Sequence, residues 1–446
     1  MENMKKEAGG QARTFFVETY GCQMNFSDSE LVEGLLSTAG LVPAGSLEEA
    51  DIVLVNTCGV RDHAEQRVIG RLGQLRALKD GAPGKILAVI GCMAQRIGEQ
   101  ILERAPWVDL AVGPDSYRRL PELIAELSLG GGVQLAQLEF DSAETYADLR
   151  PLRQDSASAW VPITRGCDNY CTYCIVPYVR GRERSVDPDT VEAWVRREVK
   201  TGAVEVVLLG QNVNSYRHGD MDFAGLLRRL QKVEGLAWIR FLTSHPRDLS
   251  DSIIRAMAEC SKVCEHLHLP VQSGSNRVLE RMNRGYSREY YLERVAFLRE
   301  AIPGIGLTTD VLVGFPGETE EDFAQTVSLM EEVEFDYAFT FRYSPRPGTV
   351  AERSEDDVPD REKARRLDTV IQLQRSQTRA TLDRLTGQVF EVLPIKEAKT
   401  GRGRLQGRTR THFDIFITAP VSAIGRVAKA RITGNTGMNL LGELTE

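Results

Sequence analysis

Ten residues carry the sharpest chemical signal in this chain. Arg165-Gly166-Cys167-Asp168-Asn169-Tyr170-Cys171-Thr172-Tyr173-Cys174 sets Cys167, Cys171 and Cys174 in a C-x3-C-x2-C array. Thiolates spaced this way bind iron–sulfur clusters and soft metals. Three of them leave one iron of a [4Fe–4S] cluster without a protein ligand, and an open metal position binds a small molecule. Zinc is the main competitor, but a structural zinc site takes a fourth Cys or His, and none lies close by in the sequence. Disulfides are the other reading of eight cysteines; a long chain with no secretory signal disfavours them.

Three further cysteines repeat one placement. Cys22, Cys58 and Cys92 each follow an apolar, β-rich run, at 14–19, 51–56 and 85–90. The intervals are 36 and 34 residues, about one βα repeat. In open α/β sheets ligands gather beyond the carboxyl ends of the strands, so these three cysteines are expected to share a ligand. Buried structural cysteines are the competing reading. Cys260 and Cys264 lack a third cysteine nearby and read as core.

The positioning elements follow from the same rhythm. A chain of 446 residues suggests about three domains. Alternating strands and helices at the start, with a fourth strand at 108–112, predict a doubly wound parallel sheet. Ser27-Asp28-Ser29-Glu30 has the capping-box pattern and predicts a helix running to about residue 40. Gly130-Gly131-Gly132 and a polar stretch then mark a boundary near residue 150. Strands are predicted at 161–164, 204–209, 238–242, 266–269, 306–313 and 337–342, with helices between, which suggests a partial (β/α)6 barrel. A charged helical stretch follows at 361–385. The last region has short β-rich runs at 389–394, 412–417 and 427–432 and predicts a small antiparallel barrel. The expected class is therefore α/β, with domains at 12–130, 153–384 and 385–446.

With these motifs in place, the sequence resembles the radical S-adenosylmethionine superfamily, whose cluster loop follows the first strand of a partial barrel. Tyr173 stands at that loop's aromatic position. Glu18-Thr19-Tyr20-Gly21-Cys22-Gln23-Met24-Asn25, Asn56-Thr57-Cys58-Gly59-Val60-Arg61 and Gly91-Cys92-Met93-Ala94 resemble the N-terminal domain of the methylthiotransferases. Gly210-Gln211-Asn212-Val213-Asn214, Ser244-His245-Pro246, the stretch from His268 to Ser275 and the stretch from Tyr343 to Thr349 resemble the branch acting on isopentenylated tRNA adenosine. The last region resembles a TRAM domain, an RNA-binding β-barrel.

The resemblance implies two [4Fe–4S] clusters: a radical cluster on Cys167, Cys171 and Cys174, and an auxiliary cluster on Cys22, Cys58 and Cys92. It implies two molecules of S-adenosyl-L-methionine, one methylating a sulfur species on the auxiliary cluster and one yielding a 5′-deoxyadenosyl radical. The product is a methylthio group on carbon 2 of N6-isopentenyladenosine beside the anticodon. Threonylcarbamoyladenosine in tRNA and an aspartate of a ribosomal protein are the substrates of related branches. A non-catalytic iron–sulfur protein that binds RNA or transfers electrons is the alternative of another class.

Candidate cofactor contacts lie at the strand ends. Tyr173, Gly210, Gln211, Asn212, Ser244, Gln272, Ser273, Arg284 and Asp310 are expected there, with Gly210 allowing close backbone approach and Arg284 pairing with a carboxylate. Asp310 and the turn at 314–317 are expected to frame ribose or adenine. No catalytic group beyond the cluster ligands is assigned. The net charge is −8, yet residues 385–446 carry nine basic against five acidic side chains. Arg402, Arg404, Arg408 and Arg410 are accordingly expected to meet RNA phosphate; Arg180, Arg182 and Arg184 are read as either phosphate contacts or surface ion pairs. The partners expected are tRNA carrying N6-isopentenyladenosine and an electron donor such as flavodoxin or ferredoxin. The absence of a signal or a long apolar run predicts a cytoplasmic protein with no membrane partner; the oligomeric state is not fixed by the sequence, and a monomer is expected.

Overall fold

The three strands that run into Cys22, Cys58 and Cys92 lie side by side in one parallel sheet. The computed structural model describes residues 12–59, 62–82, 84–130, 133–153, 157–399 and 403–445. They form two compact units, one of the described residues within 12–153 together with 175–182, the other of those within 157–174 and 183–445. The sequence-based domains differ in two ways: the segment at 175–182 belongs with the first unit, and the last barrel belongs with the partial barrel.

The first unit contains β1 (Thr14–Tyr20), β2 (Val42–Pro43), β3 (Ile52–Thr57), β4 (Ile86–Gly91), β5 (Leu110–Val112) and β6 (Leu135–Gln137), in the order β2-β1-β3-β4-β5-β6. Its helices are α1 (Gln23–Thr38), α2 (Asp62–Gly81), α3 (Cys92–Arg104), α4 (Leu120–Ser128) and α5 (Val176–Arg180). Strand residues alternate between two cores, as a period of two requires. Ile52 and Leu54 face α1 and α4 with Leu31, Val32 and Leu36. Val53 and Val55 face α2 and α3 with Val68, Leu72 and Met93. Both faces are thus covered, which is why β3 and β4 are buried throughout. Strand order reverses between β1 and β3, the switch point where such sheets hold ligands.

Helix α1 begins four residues before the predicted capping box. Cys22 itself is the N-cap, extended at φ −95° and ψ 178°, and its N–H donates to Asn25 Oδ1 at 3.3 Å. Ser27 to Glu30 therefore lie within the helix, buried.

The second unit opens with β7 (Ser158–Pro162), then β8 (Thr164–Arg165) paired with β9 (Arg184–Ser185). The predicted single strand is divided after Pro162, which has no N–H for the ladder. Next come β10 (Glu205–Leu209), the small hairpin of β11 (Arg217–His218) and β12 (Met221–Asp222), β13 (Trp238–Phe241), β14 (His266–His268), β15 (Gly306–Val313) and β16 (Tyr337–Arg342). Parallel ladders join β7, β10 and β13, and join β14, β15 and β16. A parallel bridge from Ile239 to Val263 links the two arcs. The helices α6 (Pro188–Lys200), α7 (Phe223–Leu230), α8 (Asp251–Glu259), α9 (Asn276–Arg281), α10 (Arg288–Ala301) and α11 (Glu320–Val333) alternate with them, and α12 (Asp360–Leu385) follows. Asp187, Asp222, Ser250, Ser275, Ser287 and Thr319 cap six of these helices with their side chains, each cap stabilising by about 1 kcal/mol.

The chain ends in a closed barrel of β17 (Val389–Glu397), β18 (Arg404–Thr409), β19 (Asp414–Thr418), β20 (Ala428–Asn435) and β21 (Leu440–Leu444). One pair, β19 with β21, is parallel rather than antiparallel. Strand β18 lies outside the three β-rich runs predicted for this region. Gly407 is needed there because a Cβ would lie 2.5 Å from the Leu393 carbonyl oxygen. This barrel packs against the amino-terminal ends of the partial-barrel strands. Arg240 donates to the Thr409 and Arg410 carbonyls, and His266 stacks on His412 at 4.4 Å. Burial holds both imidazoles neutral.

Candidate functional site

Cys22 follows β1 and caps α1; Cys58 follows β3; Cys92 follows β4 and opens α3. Backbone closeness brings the three together. A Cβ on Gly21 would lie 2.9 Å from that of Cys58, and one on Gly59 would lie 3.4 Å from that of Cys92. Side chains at either glycine would occupy the space between the cysteines. Cys22 is exposed as a residue, while its sulfur meets the Cys58 thiol. That hydrogen bond, Arg180 and the helix N–H groups outweigh burial and lower the Cys22 pKa to about 6. Burial raises that of Cys92, in spite of Arg180.

Arg180 is the residue the sequence misplaced. It was read as a phosphate contact or a surface ion pair, but it is buried in the first unit. Its Nε donates to Cys92 Sγ at 3.1 Å and its Nη2 to Asp28 Oδ2 at 2.7 Å. No local pattern announces this, because Arg180 reaches Cys92 from 88 residues away.

The second cysteine set lies beyond β8. Cys167 and Cys171 are buried and Cys174 is half-buried; burial pushes the Cys167 thiol up to about 11. The loop is pinned by its surroundings. Thr172 N–H donates to the Met282 carbonyl at 3.0 Å, Asn283 Nδ2 donates to the Tyr170 carbonyl at 3.0 Å, and Arg247 donates to Asn169. Tyr170 has φ 47°, a conformation that persists only where neighbours impose it. Among the described residues, no three of His, Cys, Asp and Glu converge on a single metal-ion position.

Around this loop stand the carboxyl ends of the barrel strands. Gln211 Oε1 accepts the Gly166 N–H at 2.6 Å, while its Nε2 is buried with no protein partner. Asn212 Nδ2 donates to Asp248 Oδ2 at 2.7 Å, while its Oδ1 is buried and unpaired. Ser244 Oγ is likewise orphaned. So is His245 Nε2, whose partner nitrogen Nδ1 accepts the Arg247 N–H at 3.3 Å and so leaves the hydrogen on Nε2. Burial and the charges of Arg284 and Arg247 push the His245 pKa down to about 2. An unpaired buried polar group costs about 1–3 kcal/mol. All four stand in the segments that follow β10 and β13. His245 lies in the Ser244-His245-Pro246 motif but outside the contacts expected from sequence, because its unpaired nitrogen is set by the tertiary structure.

Other expected contacts are committed elsewhere. A Cβ on Gly210 would lie 1.9 Å from Thr164 Oγ1, so packing alone requires a glycine there. Ser273 is fully buried, its hydroxyl shared with Thr326 at 3.2 Å and the Ser275 N–H at 3.2 Å. Arg284 does not face an open carboxylate site. It is buried, with Nη2 on the Pro270 carbonyl at 2.7 Å, Nε on Tyr286 at 3.1 Å and Nη1 3.3 Å from Cys171 Sγ. Its Nη1 also lies 3.5 Å from the Tyr173 hydroxyl. Gln272 turns at φ 68° and Asp310 lies 3.5 Å from His268 Nε2, both at the strand ends. The turn at 314–317 is braced by Glu318, which accepts the Gly314 N–H at 2.8 Å and pairs with Arg366 at 2.8 Å.

Of the four basic residues assigned to RNA, Arg402 lies outside the described residues. Arg404 and Arg408 share the outward face of β18, whose alternate residues are buried. Arg410 does not belong with them: it pairs with Glu265 at 2.6 Å and donates to the Ser261 and Val263 carbonyls. No described helix is long and apolar enough to cross a membrane.

Residues 161–330 match the Radical SAM superfamily, and residues 14–113 match the uncharacterized protein family UPF0004. The chain is 48% identical over 440 residues to the tRNA-2-methylthio-N(6)-dimethylallyladenosine synthase of Moorella thermoacetica, covering 97% of this chain and 99% of that protein. It is 44% identical over 449 residues to the synthase of the same name from Bacteroides fragilis, covering 99% and 98%. Among solved structures it is similar to the radical S-adenosylmethionine methyltransferase TsrM of Kitasatospora setae, with TM-score 0.56 and 13% identity over 76% of this chain and 75% of that one. It is also similar to the cobalamin-dependent S-adenosylmethionine radical enzyme OxsB, with TM-score 0.53 and 14% identity over 80% and 56%. At such identities these likenesses speak to the fold alone.

Proposed function

The chain belongs to the tRNA-2-methylthio-N(6)-dimethylallyladenosine synthases, and from that premise we propose how its residues divide the work. It is a radical S-adenosylmethionine methylthiotransferase that acts on carbon 2 of N6-isopentenyladenosine in tRNA. An iron–sulfur cluster and S-adenosylmethionine are its cofactors. The proposal concerns the finer assignments: two clusters, one held by Cys167, Cys171 and Cys174, the other by Cys22, Cys58 and Cys92.

The observation that carries this division is that Cys22, Cys58 and Cys92 follow strands of one parallel sheet, while Cys167, Cys171 and Cys174 follow β8 in the other compact unit. When bound, the cofactors supply the electron, the radical and the sulfur. The protein's contribution is binding, orientation and exclusion of water. Gln211, Asn212, Ser244 and His245 turn unpaired polar atoms to the ligand. Tyr173, Gln272 and Asp310 line the same edge. Gly210, Ser273, Thr164 and Thr326 hold the loops that present them. His245 stays neutral at working pH, so it donates a hydrogen bond and does not move a proton.

The partners proposed are tRNA, met in part by Arg404 and Arg408, and a low-potential electron donor such as flavodoxin or ferredoxin. A monomer working in the cytoplasm is consistent with tRNA as substrate. The test is nucleoside analysis of isopentenylated tRNA after incubation with anaerobically reconstituted protein, reductant and S-adenosylmethionine. A methylthio group on the isopentenyladenosine is the expected result. Modification of threonylcarbamoyladenosine instead would overturn the substrate assignment.

A further inference from the structure

Arg180 is set where a positive charge is expensive to keep. Its side chain is 4% exposed and that of Asp28 is 1% exposed. Ile175 and Val179 of the same segment pack on Cys92. Taking a guanidinium out of water costs several kcal/mol unless partners compensate. The partners here include a carboxylate and a cysteine sulfur, with the Tyr117 hydroxyl 3.4 Å from the same Asp28 oxygen. Folding gains nothing from placing a charged donor on a thiol that an apolar side chain would not supply more cheaply. A thiolate bound to a cluster is different, because it carries charge that a donor stabilises.

We propose that Arg180 is a positioning and tuning residue of the auxiliary cluster: it donates to the Cys92 sulfur and raises the cluster's reduction potential, and Asp28 offsets that charge. This rests on the reading of Cys22, Cys58 and Cys92 as cluster ligands. Reduction adds one negative charge to a cluster. A hydrogen bond to a ligand sulfur and a nearby cation both favour the reduced form, and a carboxylate beside that cation works against it. Two side chains of opposite sign therefore act on one sulfur in opposite directions.

The other cysteine set supplies the comparison. Arg284 Nη1 lies 3.3 Å from Cys171 Sγ, and its remaining N–H groups go to a carbonyl and to tyrosine hydroxyls, with no carboxylate among the described residues. Among the described residues a buried arginine thus donates to a sulfur of each cysteine set, with a carboxylate bound to the arginine at Cys92 and none bound to that at Cys171.

The experiment is a redox titration followed by electron paramagnetic resonance, with iron content, on the full-length reconstituted chain. Cys167, Cys171 and Cys174 are replaced by Ala so that only the auxiliary cluster contributes. In this background Arg180→Gln is expected to lower the potential and Asp28→Asn to raise it. The shift expected from Arg180→Gln is about a tenfold change in the reduced-to-oxidised ratio at fixed potential, or about 59 mV for one electron. Arg180→Lys, which keeps the charge, is expected to fall between Arg180→Gln and the parent. Unchanged potentials at full iron content would overturn the proposal. So would shifts of the same sign in Arg180→Gln and Asp28→Asn, which a purely structural role produces. If Arg180→Gln loses its iron, Asp28→Asn and Arg180→Lys decide between the same outcomes. A background protein with no cluster at all would overturn the ligand assignment itself, and this inference with it.

Discussion

Arg240 and Glu205 form an ion pair sealed from water in the floor of the partial barrel. Arg240 Nε donates to Glu205 Oε1 at 2.9 Å, and each side chain is 1% exposed. Ser158 donates to the other carboxylate oxygen at 2.8 Å, and the remaining guanidinium N–H groups hold the Thr409 and Arg410 carbonyls. One arginine thus joins two neighbouring strands to the C-terminal barrel. Glu205→Ala leaves a buried cation unpaired and is expected to destabilise the protein by about 3–5 kcal/mol, read as a lower denaturant midpoint. Burial opposes ionisation of Glu205, but Arg240 overrides it and holds the carboxyl below its usual range. This contribution is present above the ordinary carboxylate pKa and is lost as pH falls through the lower, folded-state value.

Asp336 has the opposite sign. Burial pushes its pKa up to about 6, although its Oδ2 accepts the Leu307 N–H at 2.7 Å. Its folded form prefers the proton. Its stabilisation is therefore full below about pH 4 and is lost as pH rises towards 6. Asp336→Asn keeps the acceptor and removes the charge. It is expected to stabilise the protein by about 1–2 kcal/mol above pH 6, and by nothing near pH 4. Equal effects at both values would refute the assignment.

Cluster occupancy separates the two cysteine sets. Reconstituted protein should hold roughly eight irons per chain if two [4Fe–4S] clusters form. Replacing Cys167, Cys171 and Cys174 by Ala, or Cys22, Cys58 and Cys92 by Ala, should each remove about half. Full iron content in either triple variant would show that set to be misassigned.

Chemistry separates them too. The variant lacking Cys22, Cys58 and Cys92 is expected to cleave S-adenosylmethionine reductively but to form no methylthiolated tRNA. The measurements are 5′-deoxyadenosine and modified nucleoside from the same reaction. Wild-type product yield would exclude a sulfur-carrying role for those cysteines.

The basic residues of the last barrel should divide by what they touch. Neutralising Arg404 and Arg408 is expected to weaken tRNA binding and flatten its salt dependence, since fewer counterions are released. Because the barrel packs at the amino-terminal ends of the strands, away from the cofactor edge, KM for tRNA should rise while kcat holds. Arg410→Gln is expected to act differently, lowering stability through the lost Glu265 pair without changing the salt slope. A slope altered by Arg410→Gln and not by the other two would reverse this division.

The legible part of the molecule was the part written locally. The C-x3-C-x2-C spacing, strands ending in Cys22, Cys58 and Cys92, and helix runs such as Glu320–Val333 depend on neighbours within a few residues, so composition and periodicity expose them. The stretch containing β18 is missing from the predicted β-rich runs because it holds Gly407 and few β-branched residues. Gly407 is there for the passage of the Leu393 backbone, a contact set by register and not by propensity. The start of α1 was misplaced because Asn25, an unremarkable residue in sequence, folds back on Cys22.

The sequence by itself determined the chemistry: six thiols in two spaced sets, an α/β framework to carry them, and a basic final region. Tertiary structure decided the environment of each group. It buried Arg180 against Cys92 and Arg284 against Cys171, gave the first a carboxylate and the second none among the described residues, and tied Arg410 to Glu265. It left polar atoms of Gln211, Asn212, Ser244 and His245 unpaired at one strand edge. The physical reason is that residue type fixes which bonds a group can make. Burial, charge and hydrogen-bond partners come from distant segments, as Arg180 meets Cys92 and Asp28 at separations of 88 and 152, and no local pattern records them.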